Sequence, residues 1–154
     1  MSSLPLYPRH TNPLLGKSKK PLPREVAVIG AGNIGPDIAY YLKTSLPDSR
    51  LILVDVMEKQ LQKAEERFKG YVQKSIDRKK MKPENAKTVL ENIVYTSDYS
   101  SLKNVDLVIE AATEDLVIKK KIVAMIEDAV RDDTIITSNT SSIPAERVFS
   151  DAKI

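Results

Sequence analysis

"EVAVIGAGNIG", Glu25 to Gly35, decides how the rest of this chain is read. Its first half is a short apolar run rich in β-branched residues, entered after Pro23 and left through glycine. That predicts a buried strand over Glu25–Gly30. Its second half sets Gly30, Gly32 and Gly35 at the spacing G-x-G-x-x-G. A tight strand-to-helix turn needs the first glycine, and a pyrophosphate approaching the backbone needs the second. The third lets the following helix pack closely on the strand. That helix is expected from about Ile34 to Leu46, ended by Pro47. Phosphate charge would sit on the N–H groups at its N-terminus, so Asn33 and Ile34 join the glycines as cofactor-binding positions.

The next apolar run, "RLILVD" (Arg50–Asp55), reads as a second buried strand. Asp55 follows Gly35 by 20 residues, the separation at which an acid meets the adenosine ribose of a dinucleotide. A carboxylate there accepts hydrogen bonds from the ribose and repels a 2′-phosphate. Val56 and Met57 follow, not Arg or Lys, which favours NAD over NADP. Two features of the helix start are unusual. Pro36 withdraws one N–H from the phosphate donors, and Asp37 would repel a pyrophosphate unless it points away, as we expect.

Beyond Asp55 the spacing changes. Glu58 to about Lys80 predicts a long helix, and "KPENAKTVLENI" a shorter one with Pro83 and Glu84 in its first turn. Together they read as a helical hairpin projecting from the sheet, because the gap before the strand at Ile93–Thr96 exceeds an ordinary crossover. A fourth strand is expected at Asp106–Ala112 and a fifth at Thr134–Ser138, with a last short helix opened by Pro144. Between them lies a helix whose Ile118, Ile122, Met125, Ile126 and Ala129 fall on one face. Continuous apolar strands alternating with helices give an α/β fold, a Rossmann-type doubly wound parallel sheet with a helical hairpin inserted after the second strand.

Composition narrows the classes of function. The chain has 154 residues, no cysteine, 42% hydrophobic and 29% charged residues, the profile of a globular domain. Disulfides, thiolate metal sites and thiol nucleophiles are excluded. No apolar run approaches the ~20 residues of a membrane helix, so no membrane association and a cytoplasmic location are expected. The net charge of +3 is not a nucleic-acid signature: Arg9, Lys17, Lys19, Lys20 and Arg24 precede the first acid, Glu25, leaving −2 for the remainder. Residues 1–23, with five of the nine prolines, read as a flexible basic leader, and residues 24–154 as the dinucleotide-binding domain.

Two further groups fall at the carboxyl ends of strands, where such sheets bind ligands. "IEAATED" places Glu110 and Glu114 there, with Lys119 a helical turn later. They suit contact with ribose and nicotinamide, and equally helix capping and a solvated ion pair. "SNTSS" (Ser138–Ser142) can orient a carbonyl or hydroxyl substrate, or Ser141 or Ser142 can cap the helix at Pro144.

Taken together, "VAVIGAGNIG", "VD", "DLVIEAATEDLVIKKKI" and "ITSNTSSIP" resemble the NAD-binding domain of the 3-hydroxyacyl-CoA dehydrogenases, from about Glu25 to the end. The resemblance implies oxidation of the 3-hydroxyl of an (S)-3-hydroxyacyl-CoA to the 3-oxo compound in fatty-acid metabolism, with hydride passing to NAD. It implies that Gly30, Gly32, Gly35 and Asp55 hold the cofactor's adenosine and pyrophosphate. Glu114 and Lys119 match positions on its nicotinamide side, and Ser141 matches a serine near both cofactor and substrate. Lys74, Arg78, Lys79, Lys80 and Lys82 lie where family members contact the acyl-CoA. The family has a small residue where Pro36 stands. Its general base is a histidine in an "HFFNP"-like motif after "SNTSS", followed by a helical C-terminal domain that usually forms the dimer. Neither is present, and His10, the single histidine, does not correspond to that base. The expectation is therefore an N-terminal portion of such an enzyme, inactive alone. The alternative is a stand-alone nucleotide-binding or interaction module.

Overall fold

The computed structural model describes residues 21–153. Most of the leader, residues 1–20, and Ile154 lie outside the described residues. Five strands, β1 (Glu25–Ile29), β2 (Arg50–Val54), β3 (Ile93–Thr96), β4 (Leu107–Glu110) and β5 (Ile135–Ser138), form one sheet. All pairings are parallel, in the order β3-β2-β1-β4-β5. The chain leaves β1 on one side to build β2 and β3, then returns to lay β4 on β1's other side. The point of reversal, between the carboxyl ends of β1 and β4, is where an open sheet of this kind forms its ligand crevice.

Alternation along the strands supplies two cores. Val26, Val28, Leu51 and Leu53 point to one face, under α1 (Gly35–Ser45), α2 (Glu58–Asp77) and α3 (Pro83–Leu90). Ala27, Ile29, Ile52, Val54 and Val108 point to the other, under α4 (Leu116–Ala129) and a 3-10 turn at Tyr99–Leu102 that sequence periodicity did not foretell. A short helix, α5 (Ala145–Val148), closes the described chain.

One expectation is corrected in part, on α4. In the helical hairpin α2 sets Leu61, Ala64, Phe68 and Val72 into the core that covers β1 and β2, and α3, with Ala86 and Val89 buried, packs against α2. Each fully buried side chain of the larger kind contributes roughly 1.5–3 kcal/mol, so a stripe of this length docks α2. On α4 the expected face holds at Ile122, Ile126 and Ala129, which pack against the core, but not at Ile118 and Met125, which stay 49% and 45% exposed. Lys119 and Val123 turn inward beside them, Lys119 to a buried carboxylate, Glu110.

The edge of the sheet remote from the crevice is tied by Asp106. Its Oδ2 accepts from the Arg24 and Glu25 amides at 2.7 and 3.1 Å, and its Oδ1 accepts from Arg131 at 2.9 Å. Burial pushes the Asp106 carboxyl up, but these bonds outweigh it and hold it below the ordinary value. A depressed folded-state value means the stabilisation is present above the unfolded value of 3.8 and is lost as pH falls through the folded one. Asp106→Asn is expected to cost about 1 kcal/mol at neutral pH, after allowance for solvent screening of a partly exposed group. In urea titrations the gap from wild type should close as the pH drops below that window.

Candidate dinucleotide crevice

Gly30 leaves β1 with φ +107°, a left-handed backbone in which a side chain is strained. A Cβ here would also stand 2.6 Å from the Ala112 Cα, so the turn lies directly against the chain leaving β4. At Gly35 a Cβ would fall 1.7 Å from the Gly30 carbonyl oxygen. Gly32 differs: a Cβ there would meet nothing within 4 Å. Two glycines are thus required by protein packing, and the middle one faces open space.

Asp55, at the end of β2, grips this turn. Its Oδ2 accepts from the Ala31 amide at 2.7 Å and its Oδ1 from the Met57 amide at 2.8 Å. A carboxylate has about four acceptor positions, so capacity remains for ribose hydroxyls. Val56 and Met57 beside it are exposed and apolar. The amides of Gly32, Asn33 and Ile34 donate to no acceptor among the described residues, and Ile34 is the N-cap of α1 with no side chain capping it. An open approach at the middle glycine, unspent amides and a half-engaged carboxylate fit a dinucleotide. Asp37 turns to α2, where its Oδ1 accepts from Arg67 and Tyr71 at 2.8 and 2.5 Å.

Across the crevice, Glu110 and Lys119 are 0% and 1% exposed. The Lys119 ammonium donates to Glu110 Oε2 at 2.5 Å, and Ser138 Oγ donates to the same oxygen at 2.6 Å. Glu110 Oε1 accepts from the Ala112 amide at 2.9 Å, fixing the segment that abuts Gly30. Lys119 therefore lies within a buried ion pair beneath the rim, and Asp115, through the Ile118 amide, caps α4.

Glu114 binds the opposite loop. Thr140 Oγ1 and Ser142 Oγ donate to its Oε2 at 2.7 and 2.9 Å, and these bonds hold its carboxyl below the ordinary value. Ser142 is thus not a helix cap; the N-cap of α5 is Pro144, with no side-chain bond. Ser141, between the two anchored hydroxyls, is exposed and makes no side-chain hydrogen bond among the described residues. The loop offers one uncommitted hydroxyl on a tied backbone.

Four of the five basic residues expected to act together divide between two neighbouring clefts, and Lys79 lines neither. Lys74, Arg78 and Lys80 line one with Asp37 and Tyr71; Lys80 and Lys82 line the next with Thr44 and Asn85. Sequence reading missed Arg67, which lines a pocket with Gly32, Asn33 and Lys63. Nothing in one sequence separates Arg67 from the other charged residues of α2. Among the described residues no group of His, Asp or Glu is placed to hold a metal. No described helix is long and apolar enough to cross a membrane.

Residues 25–153 match the family model described as 3-hydroxyacyl-CoA dehydrogenase, NAD binding domain. The chain is 39% identical over 124 residues to the fatty acid oxidation complex subunit alpha of Acinetobacter baylyi, covering 80% of this chain and 17% of that protein. Of solved structures, 3-hydroxybutyryl-CoA dehydrogenase from Escherichia coli K12 superposes with a TM-score of 0.78 at 30% identity, over 86% of this chain and 27% of that one. (S)-3-hydroxybutyryl-CoA dehydrogenase from Ralstonia eutropha gives 0.77 at 31% identity, over 83% and 44%. The match thus spans 17% of the first of these relatives and 27% and 44% of the two solved structures.

Removing one member of a buried ion pair costs about 3–5 kcal/mol. Lys119→Met should lose that much in chemical denaturation, and the double variant Glu110→Gln with Lys119→Met should recover part of it. Gly35→Ala should cost more than about 3 kcal/mol through backbone overlap, whereas Gly32→Ala should leave the melting temperature unchanged.

Proposed function

We propose, on the premise that this chain belongs to the NAD-binding-domain family of the 3-hydroxyacyl-CoA dehydrogenases, that it holds NAD for oxidation of the 3-hydroxyl of an acyl-CoA. The observation that carries this is the turn at Gly30–Gly35, with its open middle glycine and three unspent amides, gripped by Asp55. Those amides hold the pyrophosphate at the start of α1. Asp55 accepts from the adenosine ribose, and Val56 and Met57 provide an apolar edge for the base. Bound NAD supplies the hydride acceptor.

On the nicotinamide side, Glu114 and the Glu110–Lys119 pair hold the two rim segments that face the cofactor, and Ser141 orients the substrate oxygen. The basic clefts of the hairpin meet the phosphates of CoA. The domain boundaries, a leader over residues 1–23 and a nucleotide domain from residue 24, belong to the same reading. So do a helical C-terminal domain and a homodimer, for the longer proteins of the family.

Hydride loss from an alcohol needs a base on its proton. The hydroxyls of Thr140, Ser141 and Ser142 are too weak as bases at neutral pH. Glu114 is depressed by two hydrogen bonds, which makes it a poor one. The 154 residues are therefore expected to bind NAD at best weakly and without turnover, and steady NADH formation from 3-hydroxybutyryl-CoA would refute that part. The binding itself is checked by calorimetric titration of NAD. Asp55→Ala removes charge-assisted bonds of roughly 1.5–3 kcal/mol each, so affinity should fall at least about tenfold; equal affinities would remove the cofactor assignment.

A further inference from the structure

Asp37 creates a difficulty for the proposed site. It stands in the first turn of α1, where a carboxylate favours the helix dipole and opposes a pyrophosphate drawn to the same terminus. Pro36 beside it has no N–H to offer, so the phosphate depends on fewer donors. A residue that cancels the carboxylate and holds the remaining donors in place would offset both effects.

Arg67 of α2 meets that description. One guanidinium makes three bonds: NH2 donates to Asp37 Oδ1 at 2.8 Å, Nε to the Tyr71 hydroxyl at 2.5 Å, and NH1 to the carbonyl oxygen of Asn33 at 2.8 Å. Its carbon lies 5.5 Å from the Tyr71 ring centroid. The third bond carries the argument. Asn33 and Ile34 share one planar peptide, in which C=O and N–H point in opposite directions. Holding the Asn33 carbonyl toward α2 therefore sets the direction of the Ile34 amide, one of the three that have no acceptor among the described residues.

The exposure of the cluster argues against a role in stability. Arg67 and Asp37 side chains are 37% and 46% exposed, and ion pairs at that exposure contribute little to folding. The phenylalanine and tyrosine packing around it, Tyr40 on Phe68 and on Tyr71, holds α1 to α2 independently. The guanidinium's value lies in its fork of fixed donors, which an ammonium lacks.

We propose that Arg67 is a positioning residue for the dinucleotide. It masks the charge of Asp37 and fixes the Asn33–Ile34 peptide, so that a helix beginning Pro-Asp still accepts a pyrophosphate. This rests on the NAD reading of the crevice. The test is calorimetric titration of the 154-residue chain with NAD, together with its melting temperature without NAD, for wild type, Arg67→Ala, Arg67→Lys and Arg67→Ala with Asp37→Asn. Arg67→Ala should weaken NAD binding about tenfold or more with melting nearly unchanged. Arg67→Lys should restore less than half of that loss in free energy. The double variant should recover about threefold or more, the part due to the exposed Asp37 charge. NAD affinity within about twofold of wild type in Arg67→Ala, a loss matched by a collapse in melting, or no recovery in the double variant overturns the inference and leaves the NAD reading intact. A wild-type chain that binds no NAD removes that reading and this inference with it.

Discussion

Helix α1 can start where it does only because a backbone carbonyl and a glycine Cα occupy space that a side chain would claim. With a Cβ at Gly35 standing 1.7 Å from the Gly30 oxygen, any other residue would push the helix off the strand. That contact aims the N-terminus of α1 at the reversal point of the sheet. Gly30 makes the second half of the same constraint, since its left-handed φ and its approach to Ala112 bring the β4 segment against the turn. The crevice is the space left above three backbones packed to their limit.

Carboxylates then hold each part of the rim. Asp55 binds the Gly-rich turn through Ala31, Glu110 binds the Ala112 segment, and Glu114 binds the hydroxyl loop through Thr140 and Ser142. Asp37 is held in turn by α2. A carboxylate that accepts several donors at once orients more backbone than a neutral partner, because each charge-assisted bond is roughly twice as strong as a neutral one. The same residues that suggest ligand contacts thus also preorganise the loops, and an uncommitted group such as the Ser141 hydroxyl stands out against that background.

Much of this was legible in the residues. The five strands, the glycine spacing and Asp55 follow from local rules, since β-branched runs, turn glycines and a terminal acid each act within a few residues of themselves. The resemblance added the family, and the family match agrees with it. Where periodicity misled, it offered two equivalent answers. On α4 Ile122, Ile126 and Ala129 pack on the core as their spacing suggests, but whether Ile118 or Lys119 turns inward beside them is not written in the period: Lys119 does, to Glu110 on a different strand. The hairpin is legible from its length, but the residues of α2 that enter the core, Leu61 and Phe68 among them, depend on a sheet face they can reach.

By itself the sequence determined the class of fold, the place of the glycine turn and the acid that ends the second strand, since these depend on residue type at short spacing. The tertiary structure alone decided which charges are buried, which hydroxyls are committed and which side chain reaches the turn. Arg67 reaches Asn33 across 34 positions of chain, and Lys119 reaches Glu110 from a different element. Such pairings are made by packing, where distance in space has no counterpart in distance along the chain.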